Sequence, residues 1–318
     1  KREKNQIAER LSVANQQLIE ICKTLVLYAK VIVMDEPTAS LTRNEVVQLF
    51  SLIRKLKESG KTILYVSHRI EEVFEICDSI TVLRDGKNVG TLKKEEASPG
   101  KVVKMMVGRS IETVYPTRNT QIGDILLSVK DLSKKDEFKN ISFNLNAGEI
   151  LGFAGLIGAG RTELAKAIIG VSPPDSGSIH IFGKKSRFFS HPRKAFSRGL
   201  SYLPEDRIKD GLFPLMSVKE NISLTVLNKC SNLSFVVNSR KEISLVDSFI
   251  SKIRIIATSR DQRVENLSGG NQQKVIISRL LSTKSRIFIF DEPTRGIDVG
   301  AKFEIYNIMN TLTSDGNG

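Results

Sequence analysis
The sequence predicts an α/β protein with buried parallel strands, laid out twice along 318 residues. Two observations carry that expectation. The first is an internal repeat. Leu11-Ser12-Val13-Ala14-Asn15-Gln16-Gln17 matches Leu267-Ser268-Gly269-Gly270-Asn271-Gln272-Gln273, and Val31-Ile32-Val33-Met34-Asp35-Glu36-Pro37-Thr38 matches Ile287-Phe288-Ile289-Phe290-Asp291-Glu292-Pro293-Thr294. Both pairs share one offset, the 256 residues from Asp35 to Asp291, which implies a duplicated domain. The second is the alternation of short apolar runs with amphipathic stretches, the pattern of strands covered by helices.

The elements follow in order. Arg43 to Ser59 reads as a helix stopped by Gly60, and Lys61 to Ser67 as a strand. Val107-Gly108-Arg109 closes the first copy. The polar run Pro116 to Gln121 reads as a linker, so the expected layout is 1–115 for the first copy, 116–123 for the linker and 124–318 for the second. Glu149 to Ala154 reads as a strand leading into a glycine loop, followed by a helix from Thr162 to Ile169. Leu200 to Leu203 reads as a strand, and Gln272 to Leu281 as a helix. The offset places the first copy's glycine loop before residue 1. It places the second copy's counterpart of Ser67-His68-Arg69 beyond Gly318, so both copies are expected to be incomplete and the fragment weakly active at most.

Composition excludes several classes. Hydrophobic residues make up 40% and charged residues 26%, an ordinary globular balance. No apolar run reaches the roughly 18 residues of a membrane span, and the start, Lys1-Arg2-Glu3-Lys4, is not that of a secretory signal. Cys22, Cys77 and Cys230 lack metal-ligand spacing and suit a reducing compartment. The net charge of +13 is spread in short clusters such as Lys134-Lys135 and Lys184-Lys185, which read as solvated surface rather than a nucleic-acid groove.

Four motifs carry chemistry. Gly155-Leu156-Ile157-Gly158-Ala159-Gly160-Arg161-Thr162 has the spacing of a phosphate-binding loop, with Arg161 where lysine is usual. Gly155, Gly158 and Gly160 let backbone N–H groups approach phosphate at a helix N-terminus, and the Thr162 hydroxyl suits a Mg²⁺ shell. The forked Arg161 guanidinium neutralises phosphate but fits the transferring group less well than a compact ammonium. Each apolar strand that ends in Asp-Glu supplies a metal-binding acid, Asp35 or Asp291, and a water-polarising acid, Glu36 or Glu292. Ser268, Gly269 and Gly270 precede a helix and can grip a γ-phosphate; the first copy keeps Ser12 but has Val13 and Ala14 in place of the glycines. His68 follows a strand beside the first acid pair.

Together, LSGGNQQK at 267–274, the two DEPT strands, the SHR turn and GLIGAGRTEL resemble the ATP-binding cassette ATPases, a P-loop NTPase fold. Met105 to Arg109, Leu203 to Arg207 with Asp210 to Leu212, Ser217 to Asn221 and Asp291 to Lys302 narrow the likeness to the tandem-cassette subunits of bacterial monosaccharide importers of the ribose, galactose and xylose type. The resemblance implies head-to-tail cassettes binding ATP and Mg²⁺, with the signature of one closing over the nucleotide of the other and the second site degenerate. It implies that Glu205 stands at the Q-loop position, that Ala39 to Leu41 and Gly296 to Asp298 are D-loops, and that Glu36, His68 and Glu292 are catalytic. It further implies membrane permease partners, through them a sugar-binding protein, and a peripheral place on the cytoplasmic face of the membrane, with no nucleic-acid partner. A soluble tandem cassette acting on ribosomes or nucleic acid is the alternative reading.

Overall fold
The computed structural model describes residues 16, 19, 20, 23, 29–38, 41–84, 86–108, 120–156, 158–231 and 236–318. The chain divides into two compact units, Lys1–Val114 and Tyr115–Gly318. Ser12 and the rest of the 11–15 motif, Ala39, Ser40, Arg109 and linker residues 116–119 lie outside the described residues.

In the first unit, β1 (Val31–Asp35) pairs in parallel with β2 (Thr62–Val66), Val31 opposite Thr62 and Asp35 opposite Val66. The helix between them, α1 (Arg43–Glu58), starts from Thr42 and Glu45, whose side chains and backbone N–H groups satisfy each other in a capping box. Its buried face, Leu49, Phe50 and Ile53, packs with Ile32 and Met34 of β1 and with Ile63 and Tyr65 of β2. Gly60, at φ +80°, turns the chain after the helix, a left-handed conformation that costs glycine nothing. A short helix α2 (Ile70–Ile76), the antiparallel hairpin β3 (Ser79–Arg84) and β4 (Lys87–Lys93), and α3 (Pro99–Val107) complete the described part.

The second unit begins with an antiparallel sheet. β5 (Ile125–Lys134) lies between β6 (Phe138–Asn146) and β7 (Ser176–Ile181), with β8 (Lys184–Ser186) at the edge beyond β7. Helix α4 (Arg161–Ile169) packs Leu164, Ile168 and Ile169 under this sheet. After α5 (Pro192–Ser197), β9 (Leu200–Leu203) pairs in parallel with β10 (Ile287–Phe290). Between those strands lies a helical segment, α6 (Val218–Ser223), α7 (Leu227–Cys230), α8 (Ser239–Ile253) and α9 (Gly269–Ser282). Its core includes Val218, Ile222, Val246, Val264, Val275 and Ile277, all fully buried. Each such side chain contributes about 1.5–3 kcal/mol of burial. The last helix is α10 (Val299–Ser314).

The repeat reappears as geometry. Both α1 and α10 have 16 residues, and their N-caps, Thr42 and Asp298, stand at the same offset as the acid pairs. The acids themselves share a rare backbone state: Glu36 has φ +43° and Glu292 φ +45°. A left-handed glutamate is strained by about 1–3 kcal/mol, and such strain gathers at functional turns.

Two sequence expectations need correction. Residues 149–154 form no strand. The helix expected from Gln272 begins three residues earlier, at Gly269. The cost of two glycines in a first turn is offset by packing. A Cβ on Gly269 would stand 2.8 Å from Arg207 and 3.0 Å from the Gly296 carbonyl, and one on Gly270 2.6 Å from Ala301. Only glycine lets α9 approach the start of α10 this closely.

Candidate functional site: a glycine loop facing an acid pair
In the second unit the glycine loop opens α4. Gly158 and Gly160 have φ +81° and +85°, and a Cβ on Gly160 would lie 2.8 Å from the Glu137 carbonyl. Gly158 and Gly160 therefore bring bare backbone to a helix N-terminus, where partial positive charge favours an anion. Arg161 leaves the loop and its guanidinium pairs with Glu292 at 3.0 Å, both groups partly exposed. Thr162 donates to Glu205 at 3.5 Å, and Glu205 also pairs with Arg295. Asp291 is almost fully buried and accepts from the Tyr202 hydroxyl at 3.1 Å. Burial, with the Asp291 charge beside it, pushes the Tyr202 phenol far above its ordinary value. The phenol therefore stays a donor and fixes the carboxylate.

The predicted residues Gly155, Gly158, Gly160, Arg161, Thr162, Glu205, Asp291 and Glu292 thus belong to one end of the β9–β10 pair. Ser268, Gly269 and Gly270 stand elsewhere in the unit, with Arg207. That side chain donates to the Arg295 and Gly296 carbonyls and to Gln272. Asn271 joins Ser268 Oγ to the backbone of Ile256.

In the first unit, His68 Nδ1 lies 2.6 Å from Glu36 Oε1. Behind them a buried carboxylate, Glu72, accepts from Thr38 at 2.7 Å, Tyr65 at 2.8 Å and Arg69 at 3.1 Å. This network ties the turn after the acid pair to the turn that carries His68. Asp35 ends β1 and is exposed.

Sequence reasoning missed Tyr202, Arg295, Glu72 and Tyr65. Tyr202 and Tyr65 each lie on a strand paired with one that ends in Asp-Glu, and that placement is the signal that could have found them. The fit to nucleotide and Mg²⁺ rests on three features. The glycine cradle admits no Cβ at Gly160, a helix N-terminus lies behind it, and a hydroxyl and carboxylates, Thr162 and Asp291 among them, supply the oxygen donors a hard divalent cation takes.

Residues 138–295 match the ABC transporter family model. The chain is 48% identical over 311 residues to "Ribose import ATP-binding protein RbsA" of Bacillus cereus and 48% identical over 310 residues to the protein of the same name from Clostridium tetani. Each alignment covers 98% of this chain and 62% or 61% of the relative, so the chain spans about three fifths of the length of the curated relatives it matches. Among solved structures, a nucleotide-free ATP-binding cassette from an ABC transporter aligns with TM-score 0.51 at 23% identity, covering 61% of this chain and 79% of that one. A dimeric ATP-binding cassette in a post-hydrolysis state with ADP and Pi aligns with TM-score 0.53 at 21% identity, covering 60% and 85%. At those identities the likeness is one of fold. Residues 138–295 therefore form an ATP-binding cassette of the ABC transporter family, with the glycine loop and the acid pair both inside the matched segment.

Proposed function
We propose that the chain is part of the ATP-binding and ATP-hydrolysing subunit of a membrane importer for a simple sugar. The observation that carries this reading is the glycine loop whose arginine meets the second acid of the Asp-Glu pair, in a chain whose relatives are named ribose import ATP-binding proteins. The loop's N–H groups and Arg161 bind the phosphates of ATP. Thr162 and Asp291 hold Mg²⁺, which neutralises phosphate charge when bound. Glu36 and Glu292 polarise the attacking water, and His68 orients Glu36. Glu205 sits at the position that answers to the metal and to a membrane permease; a sugar-binding protein acts through that permease, at the cytoplasmic face of the membrane. The head-to-tail pairing of signatures with acid pairs belongs to the same proposal. Titration of the protein with a fluorescent ATP analogue, with and without Mg²⁺, tests the nucleotide reading: saturable, Mg²⁺-dependent binding is expected, and its absence refutes it.

The two acids are not expected to be equal. The motifs around Glu36 and His68 follow the consensus, whereas the second copy has Arg161 and the first copy's signature lacks glycines. In a protein carrying both complete copies, Glu36→Gln should abolish most ATPase turnover and Glu292→Gln should leave most of it. The reverse result, read by phosphate release, would invert the assignment.

The permease contact is proposed for the loop after β9. Ile208 and Phe213 are about half exposed, and Leu215 is 71% exposed. A cluster of exposed apolar side chains beside Asp206, Arg207 and Lys209 has the character of a docking site. The backbone of Phe213 is held by Asn221, and its ring lies 5.9 Å from the Arg279 guanidinium, so the loop is a fixed feature. Phe213→Asp is expected to leave the thermal transition within about 2 °C of the parent, as for surface substitutions. It should remove permease-stimulated ATPase and permease pull-down. Unchanged stimulation with intact folding refutes the contact.

A further inference from the structure
Glu205 brings a third carboxylate to the glycine loop. Asp291 and Glu292 follow β10, and each has its own partner: the Tyr202 hydroxyl at 3.1 Å on Asp291 and the Arg161 guanidinium at 3.0 Å on Glu292. Glu205 follows β9, and its Oε2 lies 3.5 Å from the Thr162 hydroxyl in the first turn of α4. This carboxylate therefore stands at the helix N-terminus that favours an anion. Left uncompensated, its negative charge opposes one.

The compensating charge comes from Arg295, whose guanidinium pairs with the other Glu205 oxygen, Oε1. The backbone behind it is fixed on two sides. The Arg295 N–H donates to the Glu292 carbonyl at 3.0 Å, and the Arg295 carbonyl accepts from Arg207 Nη1 at 2.9 Å. Arg207 is partly buried and also donates to the Gly296 carbonyl and to Gln272. Residues 205 and 207 thus hold Arg295 by side chain and by main chain. The repeat isolates this residue. Asp-Glu-Pro-Thr occurs in both copies, but the next residue is Arg295 in the second and Ala39 in the first. Glu36 and Glu292 share the same left-handed backbone, so the acid pair occurs with either residue after it. The side chains of Arg295 and Glu205 are 63% and 37% exposed, and a pair so exposed contributes little to folding.

We propose that Arg295 is a charge-balancing residue of the nucleotide site: it neutralises Glu205 beside Thr162, so that the phosphates of ATP are not repelled at the mouth of the glycine loop. On the ATP-binding reading, which this assignment presupposes, Arg161 acts on the phosphates directly and Arg295 acts on them through Glu205. Arg295 matters most when Mg²⁺ is scarce, since a bound cation also offsets the Glu205 charge.

The test titrates the 318-residue protein with a fluorescent ATP analogue, with Mg²⁺ limiting and with Mg²⁺ in excess. Arg295→Ala should weaken binding roughly fivefold with limiting Mg²⁺ and about twofold in excess. Arg295→Lys keeps the charge and should stay within about twofold of the parent. Arg295→Ala combined with Glu205→Gln should bind within about twofold of Glu205→Gln alone under both conditions, because the charge to be balanced is gone. An equal loss on the Glu205→Gln background would mean that Arg295 touches phosphate itself and would overturn the proposal. So would parental affinity of Arg295→Ala with limiting Mg²⁺. The melting temperature of Arg295→Ala should lie within about 2 °C of the parent. If it falls further, Arg295→Gln, closer in size, replaces it in the same comparison. A parent that binds no nucleotide refutes the ATP-binding reading and the assignment together. A parent that binds while the variants break this pattern refutes the assignment alone.

Discussion
Asn221→Ala is expected to destabilise the second unit by about 3–5 kcal/mol, because it removes several hydrogen bonds and orphans a buried cation. Asn221 is fully buried on α6. Its Oδ1 accepts from the Phe213 N–H at 3.0 Å and from Arg279 Nη2 at 3.1 Å. Its Nδ2 donates to the Phe213 and Ser217 carbonyls, both at 3.0 Å, and to that of Met216 at 3.4 Å. Arg279 is only 9% exposed, and its Nε has no partner among the described residues. Burial pulls its guanidinium down to about 10. Without Asn221 the charged group loses this side-chain acceptor. Urea unfolding should show a lower midpoint with an unchanged slope. Asn221→Asp restores an acceptor for Arg279 but turns the donor side against three carbonyls, so it should recover only part of the loss. Pairing Asn221→Ala with Arg279→Met should cost less than the sum of the two single changes, since each disturbs the same network. A loss below about 1 kcal/mol for Asn221→Ala would mean that the loop is held by other contacts.

Much of this architecture is legible in the residues alone, for a physical reason. The strands that end in Asp-Glu are short apolar runs bounded by charge, and the glycine loop sits between an apolar run and a helix start. Local chemistry therefore specifies them. The repeat adds a second reading of each element, and the bounds of α1 and α10 follow it. What stayed hidden depends on distant partners. Residues 149–154 have the composition of a strand, yet composition does not decide whether a ladder forms. Gly269 and Gly270 are poor helix formers, yet they begin α9 because Arg207, Gly296 and Ala301 leave room for nothing larger. The left-handed φ of Glu36 and Glu292 has no signature in composition. Tyr202 on Asp291, 89 residues away, and Arg161 on Glu292, 131 residues away, are set by the crossover that brings β9, β10 and α4 together.

That last pair supports a prediction with opposite signs for its two partners. Arg161→Ala is expected to weaken ATP binding to the second unit by about 1.5–3 kcal/mol, roughly ten- to hundredfold, the scale of a charge-assisted hydrogen bond to phosphate. Glu292→Gln is expected to do the reverse. Arg161 pairs with Glu292 at 3.0 Å, and phosphate competes with that carboxylate for the same guanidinium. Both side chains are more than a third exposed, so the pair itself is worth no more than about 1 kcal/mol, and the gain is at most about fivefold. Arg161→Lys keeps the charge but loses the fork, and its affinity should stay within about threefold of the parent. A purely structural ion pair would behave differently: either change would loosen the loop, and both would weaken binding. Fluorescent-nucleotide titrations of the three variants at one ionic strength separate these cases. Unchanged affinity of the Ala variant removes Arg161 from the nucleotide site, and weaker binding by the Gln variant removes the competition between Glu292 and phosphate.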